Sequence, residues 1–235
     1  MIEIKSFEIK PVGAKSSNVE LILEKDPNDE ITDWIFRIDG SEEMSMSKSF
    51  DYELGMKNIM KTLLPRISNR ESCNWVTVGG ADYQLSKYYP HNTHSKFFSL
   101  LIDPLAGKLR EIYSIVDPDV NNVPYSWEMS FLFSDFMFSF SESFLNTFDV
   151  AVVDVSDPDP SEVTSPDEVY TTKFLEDLSI LMKKDSYLIL YEGEKFSWLN
   201  EGHGLSEETI IVPNNYTLIC KVVAGYGWMS LWNLK

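Results

Sequence analysis

The run Phe148-Asp149-Val150-Ala151-Val152-Val153-Asp154-Val155-Ser156-Asp157-Pro158 constrains the fold of this chain more than any other stretch. Its nearly unbroken β-forming apolar residues predict a strand buried on both faces, the habit of parallel sheets. The run ends in two carboxylates three residues apart, Asp154 and Asp157, followed by a proline. Open α/β sheets bind their ligands at the carboxyl ends of such strands. One aspartate capping the next helix and another closing a turn would leave the same pattern, so the pair takes its meaning from its surroundings.

Those surroundings repeat the strand theme. After Asn69, short apolar runs at Trp75 to Val78, Phe97 to Ile102, Phe131 to Phe133, Val150 to Val153 and Tyr187 to Tyr191 alternate with helical stretches, which predicts a parallel, doubly wound sheet. The tail, Tyr216 to Val223 and Trp228 to Leu234, reads as two strands joined at Gly225-Tyr226-Gly227 and gives the sheet an antiparallel edge. Ahead of all this, residues from Ile2 to Ile38 alternate apolar and polar, and Asp39-Gly40 makes a turn, so a small antiparallel unit is expected. Tyr52, Met56, Ile59, Met60, Leu63 and Leu64 share one helical face, and Pro65 is expected to end that helix. The predicted chain is α/β, with a small N-terminal antiparallel β domain over residues 1–50 and a linking helix over 51–68. Residues 69–235 then form a Rossmann-like, methyltransferase-type doubly wound sheet with an antiparallel C-terminal hairpin. The acidic stretch from Asp157 to Glu168, with Pro158, Pro160 and Pro166, reads as a loop over the strand ends.

Composition narrows the partners. With 235 residues, 43% of them hydrophobic, the chain can bury a full core, and its formal charge of −17 opposes contact with a nucleic-acid backbone or an anionic membrane. A cationic substrate would be attracted. Cys73 and Cys220 lie far apart in apolar settings and read as buried thiols of a reducing compartment. No signal sequence opens the chain and no apolar run reaches the length of a membrane span, so a cytoplasmic location is expected. His91, His94 and His203 lack the spacing of a metal site, and Asp117, Asp119 and Asn121 lack the glycine and distal glutamate of a calcium loop. Neither a metal nor a prosthetic group is expected. No G-x-S-x-G, Walker loop or activated-cysteine signature is present.

Several short motifs, in order and at fitting distances, resemble the spermidine synthase family of polyamine aminopropyltransferases over nearly the whole chain. Asp39-Gly40 followed by Phe50 and Tyr52 looks like the family's DG turn and F-x-Y-H-E segment. Val78-Gly79-Gly80-Ala81-Asp82 is similar to its glycine-rich loop, Ile102-Asp103-Pro104 to its V-E-I-D-P, and Ser134-Asp135-Phe136 to its G-D-G/A-F. Asp154 to Pro158 matches D-S-S-D-P, Glu192-Gly193-Glu194 with Trp198-Leu199 resembles Q-G-E-x-x-W-L, and Gly225-Tyr226-Gly227-Trp228 resembles the closing aromatic turn.

The resemblance implies transfer of an aminopropyl group from decarboxylated S-adenosylmethionine, a co-substrate, to a diamine such as putrescine. It implies Asp154 as the base that takes the acceptor amine's proton, and Asp157 as holder of an amine group. Gly79, Gly80 and Asp82 would cradle the donor, with Asp103 beside it and Asp135 accepting from the adenine amino group. Tyr52 and Tyr226 would line the acceptor channel, with Glu194 as a further acceptor-end candidate. It further implies a homodimer or higher homo-oligomer.

The chain departs from the family pattern at defined places. Leu101 stands where the family keeps the glutamate for the donor ribose, and Ala81, Tyr83 and Gln84 stand where it keeps glycines that allow close backbone approach. Glu43 and Glu53 replace a glutamine and a histidine, adding negative charge near the cleft. Two alternatives accompany these changes. One is a catalytically degenerate homologue that binds a polyamine or nucleoside or scaffolds an oligomer. The other is a small-molecule methyltransferase on the same fold, which the spacing of Asp154 and Asp157 disfavours.

Overall fold

The computed structural model describes residues 1–9, 16–79, 96–101, 111–118, 127–130, 144–154, 172–192, 196–198, 208–210, 213–225 and 227–235. Four strands, β1 (Ile2–Ile9), β2 (Ser17–Lys25), β3 (Ile31–Ile38) and β4 (Ser41–Ser45), form an antiparallel sheet in sequence order. Alternation decides which side is covered: Val19, Leu21, Leu23, Trp34 and Phe36 are buried against Ile112 and Tyr113 of a helical turn at 111–113. The Trp34 and Tyr113 rings meet edge to face, 5.4 Å apart. At the β3–β4 turn Asp39 and Gly40 both have positive φ, 48° and 88°, the pairing that lets a two-residue hairpin follow the twist of its strands. Strand β4 follows that turn and was not expected from the pattern.

Helix α1 (Met46–Ile67) buries Tyr52, Met56, Ile59, Met60 and Leu63, the expected face. It starts before Tyr52 and runs through Pro65, which does not end it. A proline cannot donate to the carbonyl four residues back. The last turn holds because Leu63 and Ile67 are buried, the Arg66 guanidinium donates to the Thr62 carbonyl, and the Ser68 amide donates to the Leu64 carbonyl at 2.9 Å. The Ser49 and Tyr113 hydroxyls, 2.9 Å apart, tie the start of α1 to the 111–113 turn.

The second sheet has seven strands in the order β12-β13-β9-β8-β5-β6-β7. Its members are β5 (Asn74–Gly79), β6 (Lys96–Leu101), β7 (Trp127–Ser130), β8 (Phe148–Asp154), β9 (Met182–Glu192), β12 (Tyr216–Ala224) and β13 (Gly227–Leu234). Strands β7, β6, β5, β8 and β9 pair in parallel, and β13 pairs antiparallel with both β9 and β12. This is the doubly wound sheet with an antiparallel closing hairpin that the sequence predicts. The third strand is placed at β7, whereas the expected run Phe131 to Phe133 lies outside the described residues, as does the loop expected from Asp157 to Glu168. A separate parallel pair, β10 (Phe196–Trp198) with β11 (Glu208–Ile210), was not foreseen.

Both faces of the large sheet are covered. Val76, Val78, Ala151 and Val153 pack with Phe174, Leu175, Leu178 and Leu181 of α2 (Thr172–Leu181), while Trp75, Val150, Val152 and Ile189 pack with α1. Alternate residues of β5 and β8 therefore serve opposite layers, which is why the 148–154 run is apolar at almost every position. Both cysteines are free. Cys73 is buried, and burial foremost, then the Asp149 charge, pushes its thiol up to about 12. Cys220 is only half-buried, against expectation, because β12 is an edge strand.

Candidate active site

The parallel register delivers chain ends to one place. Gly79, last in β5, is the Cα partner of Asp154, last in β8. One strand over, Val153 pairs with Leu190, so Tyr191 of β9 follows at the level of Asp154. Gly79 has φ 110°, a conformation that side-chain-bearing residues rarely adopt, and the backbone there can pass close to a ligand.

Tyr52 reaches this edge from α1. Its ring is 3% exposed, and its hydroxyl donates to Asp154 Oδ2 across 102 positions of sequence. Asp154 is half-buried, and one of its carboxylate oxygens is held by the phenol. The Tyr52 and Tyr191 rings lie 5.4 Å apart at 53°, making a tilted aromatic wall beside it. The hairpin turn closes in from the other side. Gly225 has φ 59°, and a Cβ there would stand 3.4 Å from the Tyr191 hydroxyl and 3.6 Å from Tyr52 Cβ.

A carboxylate held by a phenol at the strand ends suits an alkylammonium, which it can hold or whose proton it can accept. Of the residues singled out from sequence, the structure brings together Asp154, Tyr52 and Gly79. Asp157, Tyr226, Glu194, Gly80, Asp82, Asp103 and Asp135 lie outside the described residues, with Ala81, Tyr83 and the three histidines. Leu101 ends β6, also a carboxyl end. Glu53 is half-buried in α1 beside Tyr52. Tyr191 was missed; it closes the apolar run before Glu192-Gly193-Glu194, and the carboxyl-end rule that picks Asp154 picks it too. Among the described residues no group of three or more His, Cys, Asp or Glu is placed to hold a metal ion, and no helix is long and apolar enough to cross a membrane.

No family model matches the sequence, and no curated protein does. Solved structures do. A spermidine synthase in complex with the transition-state analogue AdoDATO superposes with a TM-score of 0.62 at 16% identity, covering 98% of this chain and 72% of that one. The spermidine synthase from Thermotoga maritima gives 0.58 at 14% identity, covering 98% and 71%. A probable spermidine synthase from Corynebacterium glutamicum gives 0.50 at 14%, covering 79% and 63%. At these identities the likeness is one of architecture, and the chain has a spermidine synthase-like fold.

Proposed function

We propose that this chain is a polyamine aminopropyltransferase, moving an aminopropyl group from decarboxylated S-adenosylmethionine to a diamine such as putrescine. The observation that carries the reading is the Tyr52–Asp154 hydrogen bond at the carboxyl ends of β5 and β8, with Tyr191 beside it. In this reading the Asp154 carboxylate takes a proton from the acceptor ammonium, and the freed amine attacks the donor carbon next to the sulfonium. The new C–N bond forms as the C–S bond breaks, and methylthioadenosine leaves with the electron pair. Both substrates are cationic, which suits a chain of charge −17. Asp157 would hold an amine group, and Gly79, Gly80 and Asp82 would border the donor, with Asp103 and Asp135 toward its nucleoside and Tyr226 and Glu194 along the acceptor channel.

Leu101 favours a second reading, a relative that keeps the amine end of the site and has lost the donor. Leucine cannot accept hydrogen bonds from ribose hydroxyls, and each hydroxyl left buried and unpaired costs about 1–3 kcal/mol. The test is mass detection of aminopropylated product from donor and diamine, alongside thermal stability with methylthioadenosine and with each amine. Ligand at about 100 times its dissociation constant should add roughly 2.7 kcal/mol. Turnover that falls at least about 100-fold in Asp154→Asn is expected of the enzyme. Stabilisation by amines alone, with no product, selects the second reading.

A further inference from the structure

We propose that Tyr191 limits the length of the acceptor, so that this chain takes a short, unbranched diamine and rejects longer ones and those with an internal amine. Tyr191 has this role if Asp154 receives the acceptor amine, as in the transfer proposed above. Side chains two apart on a strand share a face. Val152 of β8 and Ile189 of β9 are Cα partners, and both pack against α1. Asp154 and Tyr191 each follow by two residues, so they lie side by side on that face, on strands about 4.8 Å apart. Both meet Tyr52 of α1, Asp154 through its carboxylate and Tyr191 through its ring. In the sheet, β9 lies on one side of β8, and β5 with Gly79 lies on the other.

In-line displacement needs the attacking nitrogen on the side of the donor carbon opposite the sulfur. With the donor at Gly79 and the nitrogen at Asp154, the carbon chain of the acceptor leads away from β5 and over β9. Among the described residues the first side chain in that direction is Tyr191, and the space beyond its ring is filled. Met229, the cross-strand partner of Tyr191 on β13, is 0% exposed, and so is Ala224 at the end of β12. A Cβ at Gly225 would stand 3.4 Å from the Tyr191 hydroxyl, so the side chain spans from β9 to the hairpin turn. A short diamine turns its second ammonium back into water before the ring is reached. A longer chain would have to press methylenes into a packed wall, which yields only by moving side chains or backbone. An internal ammonium, as in a triamine, would be stranded against the Tyr191 ring and Met229, a buried charge without a counter-charge. Cutting the ring back to a methyl group opens an apolar space between Tyr52, Met229 and Gly225, and such a space takes up apolar groups rather than water.

Calorimetric titration of the full chain, without donor, with the straight-chain diamines from diaminopropane to diaminohexane and with spermidine reads this selection by binding alone. The parent should bind putrescine at least about tenfold more tightly than diaminohexane or spermidine. Tyr191→Ala should move the ratio of diaminohexane to putrescine affinity by about tenfold or more toward the longer amine. Tyr191→Phe keeps the ring and should keep the parent's length profile, whereas Tyr191→Trp enlarges it and should shift the profile toward diaminopropane. Circular dichroism verifies that each variant is folded, and Tyr191→Trp, which leaves no cavity, carries the test if Tyr191→Ala does not fold. A length profile that Tyr191→Ala and Tyr191→Trp leave unchanged overturns the proposal, as does a parent that binds long diamines as well as short ones, or none. Mass detection of aminopropylated product from the same amines is read separately. Product with an unmoved length profile refutes the role of Tyr191 alone; a profile that moves with Tyr191, with no product, upholds that role and refutes the transfer.

Discussion

Asp149 is the second residue of β8, at the end of the strand opposite Asp154, with its side chain 3% exposed. Arg70 Nη1 meets one oxygen at 2.6 Å, Lys183 Nζ meets the other at 2.7 Å, and the Asn74 amide donates to that same oxygen at 2.9 Å. Arg70 also donates to the Asp185 carbonyl at 2.6 Å and lies over the Tyr187 ring. One carboxylate thus ties the segment after α1 to the starts of β5 and β8 and to β9. Asp149→Ala leaves two partly exposed cations facing each other and an amide unpaired, and chemical denaturation should show a loss of about 1–3 kcal/mol. Asp149→Asn keeps an acceptor for the Asn74 amide and should fall between the two. Read from sequence, Asp149 is one polar break in an apolar run, because its partners are distant in the chain. The same distance hides the Tyr52–Asp154 bond, although the family resemblance assigns both residues to one site; Tyr191 hid inside an apolar run.

At the scale of elements, periodicity carried the strands with long apolar runs and the buried face of α1, since burial imposes its spacing directly on the residues. It could not show that α1 begins at Met46, because Met46 and Phe50 are exposed and leave no inward stripe. Three-residue β10 and β11 are too short to show a period. Contact between elements is also unreadable from pattern, and Gly55 shows why. A Cβ at Gly55 would stand 2.5 Å from Ala224 Cβ and 2.7 Å from the Val223 carbonyl oxygen, so α1 crosses β12 at a distance only glycine permits. Backbone cannot rotate away as a side-chain tip can. Gly55→Val should cost at least about 1–3 kcal/mol by overpacking, and should lower amine binding as well, since Ala224 and Gly225 move with β12 beside Tyr52. A thermal midpoint within experimental error of the parent would show that the crossing is looser than drawn.

Across the whole molecule, a parallel sheet closed by an antiparallel hairpin was legible because an α/β alternation ending in a hairpin has few un-knotted, right-handed solutions. What titrates inside that fold was not, since it depends on burial. The Cys73 thiol is pushed from 9.0 up to about 12, chiefly by burial, and burial raises the Tyr216 phenol from 10.0 and the Cys220 thiol from 9.0. In each case the folded state holds its proton longer than the unfolded chain does. Below about pH 9 both states keep the Cys73 proton and its contribution is fully present. Above that, the unfolded chain releases the proton first and stability falls until the folded pKa near 12 is passed. Integrated over the window, the loss attributable to Cys73 approaches about 4 kcal/mol. Urea midpoints measured from neutrality to about pH 11 should therefore be level at first and then decline. Cys73→Ala removes one of the three groups, so it should start less stable at neutral pH because of the lost packing, yet decline less steeply. Parallel curves for parent and variant would mean that the thiolate is accommodated where Cys73 sits, and that Tyr216 and Cys220 carry the alkaline loss.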